Sequence, residues 1–190
     1  MNKKMLNNKG VISINYVILI LLGAILAIGF LNITAKTMSI NEVQGQLDKA
    51  GIIALRYGVD ETQWRLEKLV IDEKVAKDKF REVVNNSVNP GRDRLLKNFK
   101  IKELNIYPPN HPGLKKLGIS SDKGREQYYI ESIAEVSYGN NNISDKMTVY
   151  AIKYFDFLNT NSVVKKQVKT SNKDGESKII VRSVSRLVLR

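Results

Sequence analysis

The chain has no cysteine. That excludes disulfides, thiolate nucleophiles and thiolate metal sites. An exported domain of this kind relies on its core alone, which fits a bacterial cell surface better than a small disulfide-stapled secreted protein. Histidine occurs once, at His111, between Asn110 and Pro112. One histidine without cysteine leaves no set of zinc ligands. A Ser-His-Asp triad would have to use His111, and nothing near it has the form of a nucleophile elbow. No glycine-rich phosphate loop is present. Asp60-Glu61 and Asp72-Glu73 are adjacent in sequence, so they do not face each other on a helix and read as solvated helix faces. "SDKGRE" and "NKDGES" lack the ligand pattern of a calcium loop. No catalytic residue, metal or cofactor is expected, and the chain does not read as an enzyme.

Acidic residues are outnumbered. Lys and Arg total 31 against 19 Asp and Glu, a formal charge of +12. Setting aside Lys3, Lys4, Lys9 and Lys36 leaves 27 against 19, or +8, for residues 37–190. Such a surface can attract anionic wall polymer, lipid headgroups or DNA. The positives are interspersed with negatives, however, and no Arg/Lys cluster carries interleaved aromatics, so nucleic acid is not indicated as a partner.

One long run lacks charge altogether. Within "NNKGVISINYVILILLGAILAIGFLNITAK", residues 11–35 hold no ionisable group but the Tyr16 phenol. About 25 residues at ~1.5 Å each suffice to cross a ~30 Å hydrocarbon core. A cleavable signal has a shorter apolar region, of about 7–15 residues, and a small-x-small site. Lys3, Lys4 and Lys9 precede the span, whereas Lys36, Glu42, Asp48 and Lys49 after it nearly cancel. The positive-inside rule therefore puts the N-terminus in the cytoplasm and the rest outside. Gly23 and Ala27 form a small-xxx-small pair that admits a second helix.

The helical pattern outlasts the span. Ile40, Val43, Leu47, Ala50 and Ala54 recur at three- and four-residue steps, and Ala50, Ala54 and Gly58 form a row of small residues. One helix over about residues 12–58 is expected, its second half packing against the domain, neighbouring subunits, or both.

A hydrophobic N-terminal helix that continues as an amphipathic one resembles type IV pilins and pseudopilins. The finer match is in "KGVISINY", which is similar to the Flp and TadE-like branch: a basic leader, a glycine, four residues, a Glu, an aromatic, then the apolar run. The resemblance implies that Gly10 precedes the bond cut by a prepilin peptidase and that Val11 becomes the new N-terminus. Asn15 stands at the Glu position and Tyr16 at the aromatic one. In the family that Glu pairs with a neighbour's terminal amine, and charges in hydrocarbon need such partners. Asn15 can accept a hydrogen bond but cannot neutralise a charge. That departure fits a minor subunit, or an unprocessed anchor, better than a repeating pilin.

Beyond residue 58 the pattern predicts an α+β domain. Asp60 with Gln63 reads as a capping box opening a second helix, with Leu66, Leu69, Val70, Ala76, Phe80, Val83 and Val84 on one face, ended by Asn89-Pro90-Gly91. Trp64 reads as a packing anchor. "FKIKELNIY" is a strand, "YPPNHPG" a rigid loop, and "REQYYIESIAEVSYG" a strand with Tyr128, Ile130, Ala134, Val136 and Tyr138 on one face. A hairpin from that strand into "ISDKMTVYAIKYF", and another joining "NSVVKKQVKT" to "ESKIIVRSVSRLVLR", complete an antiparallel sheet of four to five strands.

The expected organisation is a basic cytoplasmic leader (1–10), a transmembrane helix (11–35), its extracytoplasmic continuation (36–58) and an α+β ectodomain (59–190). The expected function is structural: a TadE-like minor pilin or pseudopilin meeting other pilin-like subunits, assembly-platform proteins and a prepilin peptidase. The rivals are a signal-anchored extracytoplasmic module that binds wall polymer, DNA or a protein, and a membrane-anchored hydrolase using His111.

Overall fold

The computed structural model describes residues 3–66, 68–88, 96–119, 127–138 and 177–188, with the backbone alone for 3–13, 138 and 177. Its first element, α1 (Lys3–Tyr57), is one unbroken helix of 55 residues, about 80 Å long. It starts before the expected residue 12 and runs through the leader, the apolar segment and the amphipathic segment without a break. No proline interrupts it and no internal cap competes with it.

The two halves of α1 have different surroundings. Residues 14–28 are all exposed. From Ser39 on, one face is covered: Ile40, Val43, Leu47, Ala50, Ala54 and Leu55 are buried in the main core. The helix ends where Gly58 packs closely on the helix that carries Ala76; a Cβ there would lie 2.8 Å from that of Ala76.

The expected second helix is two. Asp60 caps α2 (Glu61–Trp64), its carboxylate accepting from the Thr62 and Gln63 amides at 2.8 and 3.3 Å. The reciprocal half of the capping box is not made, because the Asp60 amide donates to the Val70 carbonyl at 3.0 Å. The chain instead bridges Val59 to Ile71, and Asp72 caps α3 (Glu73–Ser87) by accepting from Lys74 and Val75. Two Asp residues each offer a cap, and the second one restarts the helix. Leu69 and Ile71 are buried in the connection, whereas Leu66 is left exposed. Asp60 and Asp72 are thus caps, while Asp72 and the adjoining Glu61 and Glu73 remain exposed to solvent. α3 buries Ala76, Phe80 and Val84 against α1. It ends at Val88, just short of Asn89-Pro90-Gly91, which lies outside the described residues.

Three strands are described: β1 (Leu96–Tyr107), β2 (Gln127–Tyr138) and β3 (Ser177–Val188), antiparallel in the order β1-β2-β3. The main-core side chains of β1 are spaced three, two, three, two: Leu96, Phe99, Ile101, Leu104 and Ile106. A strict two-residue alternation would turn some of them away. The register shifts between Leu96 and Asn98, and again between Ile101 and Glu103, and each extra residue restores the facing.

β2 pairs with β1 on one edge and with β3 along its whole length on the other, from Gln127↔Val188 to Tyr138↔Ser177. The expected hairpin from β2 into "ISDKMTVYAIKYF" is therefore corrected: both edges of β2 are taken, and its partner is the distant β3. That segment, "NSVVKKQVKT" and both turns lie outside the described residues, as does "SDKGRE". The architecture is α+β, with α1 laid along β2 and β3 and α3 packed beside it.

The helix–sheet contact is unusually close and partly polar. A Cβ on Gly51 would lie 2.4 Å from the Ser185 Oγ and 2.9 Å from Ile130 Cγ2. Ser183 donates to the Asp48 carboxylate, and Ser185 donates to the Asp48 backbone carbonyl at 3.0 Å. The opposite face of the sheet has a smaller core, in which Leu114 and Leu117, in and just beyond α4 (Pro112–Lys116), pack on Tyr129. α4 starts inside the expected rigid loop: His111 caps it, its Nδ1 accepting from the Gly113 amide at 3.0 Å.

Candidate functional site

The apolar half of α1 is long and apolar enough to cross a membrane, and among the described residues none of its most apolar stretch is buried. Gly10 and Val11 lie on the helical backbone ahead of it. Asn15 and Tyr16 are exposed near its start. Gly23 and Ala27 are exposed too, and a Cβ on Gly23 would meet nothing within 4 Å. Thr34 and Thr37 donate back to the Phe30 and Ile33 carbonyls, both at 2.9 Å, so their hydroxyls are satisfied within the helix.

The helix-packing stripe has a different fate. Ile40, Val43, Leu47, Ala50 and Ala54 are all buried inside the chain's own domain. Of the alternatives open to this stripe, the domain is the one that covers it: its partners are α3 and the sheet. The small residues Ala50, Ala54 and Gly58 serve the same internal packing.

On the far side of the sheet lies a charged centre. Glu131 is 2% exposed. Its Oε1 accepts from Arg182 and its Oε2 accepts from the Tyr107 hydroxyl at 2.6 Å. Desolvation first, and the bond to Glu131 second, push the Tyr107 phenol up to about 12. Nearby, Glu135 lies 2.9 Å from the Lys102 ammonium and 3.8 Å from that of Lys178. The hydrogen bond from Lys102 holds Glu135 below the ordinary carboxylate range, although burial opposes it. Strand pairing brings these groups together, and each carboxylate faces at least one cation, so the centre has the form of a structural lock. The His111 ring lies 5.2 Å from that of Tyr107, tilted at 45°, while its Nδ1 caps α4. No group of three or more His, Cys, Asp and Glu that could hold a metal occurs among the described residues.

The other candidate is a cleft of about 860 Å³ at the end of α1 remote from the apolar half. Its rim carries Arg56 and Tyr57 from α1, and Trp64 and Arg65 from α2 and its end. Leu69, Leu187 and Val59 contribute apolar lining, and Glu61 is the one acid. Trp64 is 48% exposed, so it is a wall of the cleft and not the expected packing anchor. The sequence signal was available as two Arg–aromatic neighbours, Arg56-Tyr57 and Trp64-Arg65, on either side of Gly58. Only the turn at Gly58 and the short α2 bring them to one place.

Comparison of the chain with protein-family models, with curated proteins and with solved structures gives no match.

Proposed function

We propose that the protein is a non-enzymatic structural subunit, a TadE-like minor pilin or pseudopilin that assembles in a type IV or Tad-like pilus or secretion apparatus. One observation carries the reading: a single unbroken helix is bare and apolar over one half and the spine of an α+β domain over the other. The two halves are thus one mechanical body, and a pull on the domain is a pull on the span. A secretory signal has no need to continue into the core of the domain it delivers. In this reading residues 1–10 are the cytoplasmic leader, 11–35 cross the membrane, and the domain is extracytoplasmic.

The mechanism is an exchange of cover. Lipid surrounds residues 14–31 while the subunit is stored, and apolar helices of neighbouring subunits replace that lipid on assembly. Gly23 and Ala27 allow the closest approach. Along the continuation, subunit contacts fall on the exposed side of α1, where Ile52 and Ile53 are left uncovered. Asn15 in place of a Glu suits a subunit present in few copies, with no terminal amine to neutralise.

The test is the N-terminus of the protein isolated from native membranes. A mature chain beginning at Val11 supports the reading. One beginning at Met1 in cells with an active prepilin peptidase counts against it.

The cleft favours a second reading, a signal-anchored extracytoplasmic binding module. An intact leader together with the absence of crosslinks to neighbouring subunits distinguishes it. The hydrolase alternative gains nothing from its surroundings, since the Nδ1 of His111 is engaged as a helix cap.

A further inference from the structure

We infer that the cleft at the distal end of α1 is a docking site for a protein segment that presents a large apolar side chain flanked by carboxylates. The inference stands on the cleft alone and does not depend on the filament reading. The rim holds Arg56, Tyr57, Trp64 and Arg65, and the apolar lining includes Leu69 and Leu187. Trp, Tyr and Arg dominate the binding energy of protein interfaces, where lysine is depleted. Here four such side chains converge on one cleft, in a chain whose basic residues are mostly lysine. Tyr57 is 62% exposed, with the Lys79 ammonium 4.8 Å from the centre of its ring on one face, so the rest of that ring and Trp64 offer aromatic area to a partner.

Charge selects the partner. Against the two guanidiniums the lining offers one acid, Glu61, and no ion pair to either guanidinium is formed among the described residues. A bidentate carboxylate on each is the strongest contact they can make. The apolar lining argues for a side chain over a sugar or a phosphate chain, since a polyanion would leave it uncovered and would meet Glu61. Position argues against lipid: the cleft opens around Tyr57, about 40 Å along the helix from Leu31 at the end of the bare apolar stretch. The occupant is therefore an acidic, amphipathic peptide segment of another protein.

The chain has a built-in reporter, because Trp64 is its only tryptophan. The full chain in lipid nanodiscs is panned against a random displayed-peptide library, with the Arg56→Ala/Arg65→Ala protein as counter-target. The expected outcome is enrichment of peptides with clustered Asp and Glu around one large apolar residue. Synthetic copies should shift Trp64 emission saturably and bind about tenfold or more weakly to the double variant and to Trp64→Ala, read there by anisotropy of a labelled peptide. A charge-reversed protein, Arg65→Glu, should lose these peptides while keeping its circular dichroism. The inference is overturned if no peptide is enriched over the counter-target, if the enriched peptides lack acidic residues, or if the three variants bind as wild type does. It is also overturned if oligothymidine or an anionic glycan saturates the Trp64 signal with the same arginine dependence while the acidic peptides do not.

Discussion

Gly51 of α1 lies so close to Ser185 of β3 that a side chain at position 51 would occupy the space of the serine hydroxyl. This contact sets how near the helix can lie to the sheet, and it holds Ser185 where it donates to the Asp48 carbonyl. Gly51→Ala should therefore destabilise the domain by about 1–3 kcal/mol, despite the alanine's better helix propensity. Gly45 is the internal control, since a Cβ there would meet nothing within 4 Å. Gly45→Ala should leave stability unchanged or raise it by up to ~1 kcal/mol. Denaturant unfolding of the two variants in the same detergent checks the contrast. Equal effects would remove the close-approach argument.

Tyr107 predicts an alkaline limit. Its pKa is raised to about 12 from 10.0, so the folded state holds the phenolic proton more tightly than the unfolded chain does. The contribution to stability is complete below pH 10 and is lost as pH rises toward 12. Tyr107→Phe should abolish that part of the pH dependence. It should also lower stability at neutral pH by about 1.5–3 kcal/mol, because a hydrogen bond to a charged acceptor is removed. Unfolding midpoints measured across pH 8–12 on both proteins test the sign.

Arg182 predicts a larger loss. Removing it leaves the 2%-exposed Glu131 without its cationic partner, and breaking a buried pair on one side costs about 3–5 kcal/mol. Arg182→Met should unfold the domain at markedly lower denaturant. Adding Glu131→Gln should restore much of the loss, since no uncompensated charge then remains buried. A double variant no more stable than Arg182→Met would show that lost packing of the arginine stem, not the stranded carboxylate, sets the cost.

The parts of the fold legible in the sequence were those with sustained periodicity. The long apolar helix follows from a run without charge, and its continuation into the domain with the burial of Ile40, Val43, Leu47, Ala50 and Ala54 follows from a 3.6-residue pattern with no competing signal. β2 was legible from its alternation, and the end of the long helix near residue 58 from where its periodic pattern stops. What was missed depends on competition or on distance. Asp60 and Asp72 are equally good caps, and the sequence does not say that both act. The pairing of β2 with β3 joins segments about forty residues apart, and local alternation is silent on which edge a strand takes. The irregular spacing of Leu96, Phe99, Ile101, Leu104 and Ile106 was readable as two bulges once each three-residue step is counted as an extra residue. The cleft could not be seen along the chain, because its two Arg–aromatic pairs only meet through the turn.

Asn15 carries the prediction that bears most directly on the proposed assembly. It is exposed at the start of the apolar stretch, with no charged partner for it among the described side chains. A glutamate at a helix centre in hydrocarbon costs a few kcal/mol on insertion scales (roughly 2.5–3.5 for Asp), less toward the interface, and the cost falls when a cation is supplied. If cleavage after Gly10 frees the Val11 amine, the amine of a neighbouring subunit is that cation. Asn15→Glu should then raise the number of copies of this subunit crosslinked to pilin-like neighbours, and Gly10→Leu, which blocks processing, should cancel the gain. Crosslinking through a cysteine introduced at position 16, in this otherwise cysteine-free chain, gives the readout. Unchanged crosslinking in Asn15→Glu, with the protein still retained in the membrane, removes the support for assigning Asn15 to the glutamate position. A gain that survives Gly10→Leu would instead place the partner cation on a residue other than the processed N-terminus.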